Sequence, residues 1–91
     1  MAVERAVADL DEAVADFLNK GTTEVSAIFA AAFALNNEIG RKLKPSGDPE
    51  LKRLQLLVND VVVAAKRRNH SLLTNAMEKL RTEHLRRQNS R

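Results

Sequence analysis

The chain has 91 residues, enough for one small domain but near the lower size at which a single apolar core can hold a chain folded. It contains no cysteine, which excludes disulfides, zinc–thiolate sites, iron–sulfur clusters and thiol nucleophiles. With a net charge of +3, no Trp, no Tyr and three Phe, it has little aromatic surface for stacking nucleic-acid bases. Few glycines and prolines, and an abundance of Ala, Leu, Glu, Lys and Arg, predict an all-α protein.

The N-terminal segment and the longest apolar run bear on where the chain resides. The first residues are acidic, whereas a secretory signal peptide has a basic start and an unbroken apolar stretch. The longest apolar run, residues 27–35, has nine residues, and a membrane-spanning helix needs about 20. We therefore expect an intracellular protein, cytoplasmic or nuclear, with no export signal and no membrane-spanning helix.

The first predicted helix covers residues 2–19. Apolar side chains recur in it at helical spacing and form the stripe of an amphipathic helix. They are Val3, Val7, Leu10, Val14 and Phe17. Lys20 and Gly21 predict the helix end, because Gly tolerates the left-handed cap conformation. Thr22 or Thr23 can then cap the next helix.

The second predicted helix, residues 23–42, lacks a polar face over much of its length. Every position from 27 to 35 is apolar, and a helix that is apolar all round is expected to be buried all round. We therefore predict that this helix is either the centre of a bundle or a surface through which two chains meet. Gly40 weakens its last turns, and Pro45, Ser46 and Gly47 end it.

The third predicted helix, residues 49–67, has a strong start signal. Asp48 is a good N-cap, Pro49 fits the first turn, and Glu50 lies near the positive end of the helix dipole. Leu56 and Val63 widen the apolar surface beyond the expected buried side. That side consists of Leu51, Leu54, Leu57, Val58, Val61, Val62 and Ala65.

A polar segment at residues 66–71 predicts a turn before a fourth helix. Ser71 can cap this helix, residues 71–87, whose apolar residues include Leu72 and Leu85; residues 88–91 form a frayed tail. If the polar segment stays helical, the last two helices fuse into a rod of about 57 Å that needs a second chain to cover it. The segments predict one domain: an antiparallel bundle of three to four helices, with dimerisation as a means of completing it.

Side chains able to carry chemistry are few and scattered. His70 and His84 are separated by about 21 Å of helix, so they cannot share a metal, and we expect both on the solvated surface. An exposed helical histidine is also typical of a histidine phosphotransfer domain, which makes His70 a remote alternative. Asp9, Glu12 and Asp16 share a helix face, but a straight helix cannot fold them around a cation. Because no phosphate-binding loop, dinucleotide turn or nucleophile elbow occurs, we predict no catalysis, metal or cofactor.

Charge is distributed unevenly along the chain. Residues 1–24 hold six acids and two bases, residues 25–50 three of each, and residues 51–91 three acids and ten bases. This asymmetry has three interpretations. The acidic first helix can pair with the basic fourth helix of the same chain, or with the basic half of a second chain. Alternatively, the basic half can bind nucleic acid, or it can be a solvated segment that keeps the chain soluble. Nucleic-acid binding would use the last two helices as a helix-turn-helix pair. Its candidate contacts are Lys66, Arg67, Arg68, Lys79, Arg81, Arg86 and Arg87.

The apolar surface leads to the main functional hypothesis. The second helix and the broad side of the third offer more apolar area than a small bundle can cover, and leftover apolar patches mark association sites. We therefore predict a non-catalytic interaction module or small subunit of a helical complex, binding a protein partner or a second copy and no small-molecule substrate. Its candidate contacts are Ile28, Phe29, Ala32, Phe33, Leu56 and Val63.

Overall fold

The first helix forms on the apolar stripe described above. In the computed structural model, which describes residues 2–20 and 25–89, helix α1 spans Ala2–Lys20. All five residues of the stripe are buried, and Ala6 lies among them. Gly21, Thr22 and Thr23, the expected helix end and caps, lie outside the described residues.

Helix α2 spans Ser26–Ser46, so it begins three residues later and ends four residues later than predicted. Gly40 does not end it, because Ile39 and Leu43 on either side of this glycine pack against the core. The helix ends at Gly47, which has a left-handed φ of 59°. The backbone N–H of Gly47 donates to the Leu43 carbonyl oxygen at 2.7 Å, which closes the last turn.

Helix α3 spans Pro49–Lys66 and begins at its cap. The Asp48 carboxylate accepts a hydrogen bond from the backbone N–H of Glu50 at 2.9 Å, and Pro49 occupies the first turn, where no N–H is needed. The buried side consists of Leu51, Leu54, Val58, Val61, Ala64 and Ala65.

A short turn separates α3 from helix α4, which spans His70–Asn89, so the fused rod does not form. Arg68 adopts a left-handed φ of 49° in this turn and directs the chain back along α3. The cap of α4 is Asn69, whose side-chain oxygen accepts from the backbone N–H of Leu72 at 3.0 Å. The prediction of Ser71 as the cap is therefore wrong, because Ser71 already lies within the helix.

The buried side of α4 differs in part from the prediction. Leu73, Ala76, Met77 and Leu80 are buried, and so are the polar residues Glu83 and His84. Leu72 and Leu85, which were expected on the apolar side, are exposed. The backbone of residues 88 and 89 is helical, so α4 extends two residues beyond its predicted end at residue 87, and residues 90 and 91 lie outside the described residues.

The helices pack in chain order, each beside the next, and α4 closes the ring against α1. Arg53 near the start of α3 pairs with Glu83 near the end of α4, and Asp48 pairs with Arg87. The two helices are therefore antiparallel along their length. Residues 5–9 of α1 and 34–41 of α2 line a common groove, which gives this pair the same antiparallel sense.

The four helices enclose one apolar core in a body of 39 × 21 × 20 Å. Within residues 2–20 and 25–89 helices are the only regular elements, so the prediction of an all-α antiparallel bundle is confirmed. Helix α2 packs against α1 and α3 and occupies one corner of the bundle, so its predicted central position is wrong. Among the described helices, none combines the length and the apolar character that a membrane span requires.

Candidate functional site

The apolar run of α2 is divided between the core and the surface. Successive helical residues point about 100° apart, so only part of an unbroken run can face inward. Ile28 and Ala32 lie in the core, which removes them from the predicted partner surface. Phe29 is half-buried, and Phe33 is 71% exposed, so the prediction that the whole run is buried is wrong.

Phe29 and Phe33 line a groove between α2 and α3 with a volume of about 400 Å³. The other residues that line this α2–α3 groove are Asn36, Asn59, Val62 and Lys66. The Oδ1 atom of Asn36 is buried and has no hydrogen-bond partner within the described part of the chain. An unsatisfied buried acceptor of this kind is costly to the fold.

Helix α3 presents an exposed stripe to solvent beside this groove. Its members follow one another at steps of three or four residues and therefore share one helix face. They are Lys52, Leu56, Asn59, Val63 and Lys66, called the α3 stripe below. Leu56 is 67% exposed and Val63 is 40% exposed. The α2–α3 groove and the α3 stripe together form the α2–α3 face.

The apolar surface continues beyond the stripe toward α4. Val63 also borders a second groove, of about 270 Å³, between α3 and α4. Leu72 and Lys79 line that groove from the α4 side, and Asp60 lines it from α3. Of the six predicted contact residues, Phe29 and Phe33 line the α2–α3 groove, Val63 borders the α3–α4 groove, and Leu56 is exposed on the α3 stripe.

The seven basic residues considered for nucleic-acid contact do not form one surface. Lys66, Arg67 and Arg68 lie where α3 turns into α4, whereas Arg86 and Arg87 lie near the far end of α4. Helices α3 and α4 lie side by side and antiparallel, whereas the helices of a helix-turn-helix motif cross at about 90–120°. The two helices are therefore not arranged as that motif requires.

Among the described residues, Arg81, Arg86 and Arg87 form ion pairs with carboxylates of the same chain. Arg81 on α4 donates to Asp11 on α1 at 2.6 Å, and this hydrogen bond raises the pKa of Arg81. Arg87 lies 3.2 Å from Asp48 and 3.6 Å from Glu50. The Asp11–Arg81 pair joins the acidic helix to the basic one within a single chain, as the first interpretation of the charge asymmetry predicts.

Arg86 belongs to a charge cluster that sequence analysis missed. Glu83 is almost buried and accepts from Arg86 at 2.7 Å and from Arg53 of α3. The hydrogen bond from Arg86 is the main cause that lowers the pKa of Glu83, and it raises the pKa of Arg86. The spacing of Glu83 and Arg86 is visible in the sequence, but Arg53 meets them only after α3 and α4 have folded against each other.

The two histidines lie in different environments. His70 is exposed and packs edge-on against Phe17 of α1, with 5.3 Å between the ring centres. His84 is buried, so its predicted place on the surface is wrong. Burial lowers the pKa of His84, and its Nδ1 atom has no hydrogen-bond partner among residues 2–20 and 25–89.

The acidic side of α1 remains open to solvent. Asp9, Glu12 and Asp16 are exposed, and Asp16 lies 4.0 Å from Lys20. Within the residues that the structure describes, no group of three or more His, Asp or Glu side chains is placed to hold a metal ion.

Fold and site together define a small antiparallel four-helix bundle with a partly apolar face over α2 and α3. No family model, curated protein or solved structure matches the chain at a significant level.

Proposed function

We propose that the chain is a non-catalytic protein-binding module that holds a partner against the α2–α3 face. The observation that carries this proposal is the exposure of three large apolar side chains on this face: Phe33 in the α2–α3 groove, and Leu56 and Val63 on the α3 stripe beside it. Single exposed apolar residues are ordinary, but a continuous apolar patch is typical of an association site. A groove between antiparallel helices also suits the side chains of a partner helix.

The titratable groups support a binding role over a catalytic one. Strongly shifted pKa values often point to catalytic residues, since acid–base chemistry requires them. Here the shifted groups have structural causes: Asp48 caps α3, Arg81 pairs with Asp11, and Glu83 and Arg86 pair with each other. The fifth, His84, is shifted by its burial in the bundle.

The test is site-specific photo-crosslinking in cells of the source organism. A photoreactive phenylalanine analogue replaces Phe33 in one variant and Leu56 in a second. The control places it at Ala15, which is exposed on α1, away from the groove. We expect positions 33 and 56 to yield the same adduct, either with one protein species or with a second copy of the chain, and position 15 to yield none.

Light scattering on the purified chain separates these two kinds of adduct, because self-association gives a mass that rises with concentration. Adducts from all three positions alike, or from none, would contradict the proposal. An adduct with nucleic acid at position 33 or 56 would favour the nucleic-acid alternative instead.

A further inference from the structure

The α3 stripe carries positive charge at both ends of an apolar centre. Lys52 lies one turn before Leu56, and Lys66 lies one turn after Val63. The two lysines are fourteen positions apart in the helix, about 21 Å along its axis. Within the described part of the chain, neither lysine is joined to a carboxylate by an ion pair.

Each end of the face has a second exposed cation. Lys44 lies near the end of α2, beside the turn that leads to Lys52, and Arg67 directly follows Lys66. Two exposed carboxylates of α3 have other cations near them: Asp60 borders the α3–α4 groove together with Lys79, and Glu50 pairs with Arg87. The α2–α3 face is therefore apolar in the middle and positively charged at both ends.

We infer that the α2–α3 face binds an acidic amphipathic helix of another protein, an inference that rests on the proposed function. Carboxylates near both ends of such a helix complement the two cation pairs of the face, Lys44 with Lys52 and Lys66 with Arg67. These contacts favour an acidic helix over a basic helix. Apolar side chains at i, i+3 or i+4, and i+7 of the bound helix fill the α2–α3 groove. A length of about 14 residues spans the distance between the cation pairs.

Asn36 adds a polar requirement to this apolar contact. Asn36 lines the groove, and its buried Oδ1 atom accepts no hydrogen bond from a described residue. An Asn or Gln side chain on the bound helix that packs against the Asn36 side chain fixes the register, as single buried amides do between paired helices. The recognised helix therefore combines large apolar residues, one central amide and terminal carboxylates.

A second copy of the chain fits this face poorly. Three of the six exposed acids of the described chain share α1, at Asp9, Glu12 and Asp16, and the exposed apolar residues among them are only Ala8 and Ala15. The other three, Glu50, Asp60 and Glu78, are spread over α3 and α4. Alanine side chains are too small to fill a groove of about 400 Å³. If two copies instead joined their α2–α3 faces about a two-fold axis, the cation pairs would meet each other and repel.

The inference is tested with two synthetic helical peptides of about 18 residues, long enough to extend past both cation pairs. Both carry leucines at the spacing given above and one central asparagine. One peptide has glutamates at both ends, and the comparison peptide has lysines there. Binding to the intact chain is measured by fluorescence anisotropy, and the contacted residues are mapped by NMR chemical-shift changes.

We expect the glutamate peptide to bind about tenfold more tightly than the lysine peptide at low salt. The difference should shrink in 1 M salt, where the screening length is about 3 Å. Shifted NMR signals should include Phe33, Leu56 and Val63. Lys52→Glu and Lys66→Glu should each lower the affinity for the glutamate peptide several-fold and raise the affinity for the lysine peptide. The matched control is Arg5→Glu on α1, at an exposed position away from this face, and it should change neither affinity by as much.

The possible failures separate this inference from the proposed function. Equal binding of both peptides at the α2–α3 face would overturn the inferred preference for an acidic helix, while the proposed protein-binding function would stand. Absence of peptide binding would overturn the inference, while the crosslinks from positions 33 and 56 decide the function independently. Tighter binding of labelled duplex DNA or RNA at this face, or a dimer that Phe33→Asp converts to a monomer, would identify a different occupant.

Discussion

His84 shows how the bundle accommodates a polar side chain inside. The ring is 8% exposed and lies one turn after the buried Leu80. Burial is the main cause that lowers the pKa of His84, the charge of Glu4 opposes this shift, and the charge of Arg87 adds to it. The imidazole is therefore neutral at neutral pH, and its Nδ1 atom is unsatisfied within the described residues.

We expect the free energy of unfolding to fall as the pH drops below 6.5, the ordinary pKa of histidine. Because the pKa of His84 is lower in the folded chain, the unfolded chain binds more protons between the folded and unfolded pKa values, and protonation favours unfolding. The contribution of neutral His84 to the free energy of unfolding is complete above pH 6.5 and is lost as the pH falls toward the pKa of His84 in the folded chain. Urea unfolding at neutral pH and at about pH 5.5 measures this loss.

The control for this titration is His84→Leu, which cannot be protonated at that position. Its stability should fall less than that of the natural chain over the same pH interval, and an equal fall would contradict the assignment to His84. Asp48 and Glu83, whose pKa values are lowered below 3.8 and 4.5, lose their contribution only at more acidic pH. They therefore do not mask the effect of the histidine.

The position of His84 could have been predicted from spacing but not from polarity. Leu73, Met77, Leu80 and His84 follow one another at steps of four, three and four residues, so the ring shares the buried side of α4. Leu72 and Leu85 are apolar but lie off that side, and both are exposed. The prediction was wrong at these three positions because it was based on residue type. In a helix that is packed on one side, the spacing along the chain decides which side chains face the core, whether they are polar or apolar.

At the scale of elements, α2 supplies both core and surface from one apolar run, and this division can be tested by substitution. Ile28→Ala removes a buried side chain and should lower the free energy of unfolding by about 2–5 kcal/mol. Phe33→Ala removes a larger side chain that is mostly exposed and should change it by no more than about 0.5 kcal/mol. Chemical denaturation of both variants compares the two, and a loss at Phe33 as large as at Ile28 would contradict the division.

The sequence could not show which residues of this run face the core and which face solvent. Nine apolar residues in succession include no polar residue that would mark the solvent side of the helix. The phase is set by residues that follow the run, where Ile39 is buried and Asn37 is exposed. Leu35 and Ile39 extend the line of Ile28 and Ala32 into the core. Phe33, Leu56 and Val63 were expected at a partner surface and are exposed. The position of Phe33 relative to Leu56 and Val63 depends on the register between α2 and α3, which the sequence does not show.

Gly40 and Gly47 permit the same substitution to be tested in two backbone conformations. Gly47→Ala places a side chain at a positive φ and should destabilise the protein by about 1–2 kcal/mol. Gly40→Ala lies within α2 and should stabilise it by about 0.5–1 kcal/mol. A Cβ atom meets nothing within 4 Å at either glycine, so the backbone alone determines the sign. Thermal unfolding of the two variants tests it, and shifts of the same sign would contradict this interpretation.

The helix boundaries were predictable where one local signal dominated. Asp48 and Pro49 form such a signal, and α3 begins there. At the start of α4 only Ser71 was predicted as the cap, although Asn69, two residues earlier, also carries a suitable acceptor. The left-handed turn at Arg68 brings Asn69 into the capping position, and that conformation was not evident from the local sequence.

At the scale of the whole molecule, the charge asymmetry along the sequence becomes a pattern in space. The ring of helices places acidic α1 beside basic α4, where Asp11 pairs with Arg81. The sequence predicted the imbalance but left open whether the pairing was within one chain or between chains. Only the order of helices around the core makes the pairing within one chain possible, and that order depends on packing.

Because all four helices contribute to one core, we expect the bundle to unfold in a single cooperative transition. The chain has no Trp or Tyr, so tertiary structure is followed by methyl NMR signals from Leu10, Ile39, Val58 and Leu80, one from each helix, and helicity by circular dichroism. All signals should share one urea midpoint. A separate, earlier loss of the Leu10 and Leu80 signals would indicate that α1 and α4 detach before the rest.

The ring arrangement, in which each helix packs beside the next one along the chain, also bears on how fast the bundle forms. Three of the four helix interfaces join consecutive helices, and only that between α1 and α4 joins distant parts of the sequence. Proteins dominated by such short-range contacts have low contact order and fold in roughly microseconds to milliseconds. The hairpin of α2 and α3, joined through Gly47 and Asp48, needs the shortest loop closure, whereas α1 and α4 must close the longest.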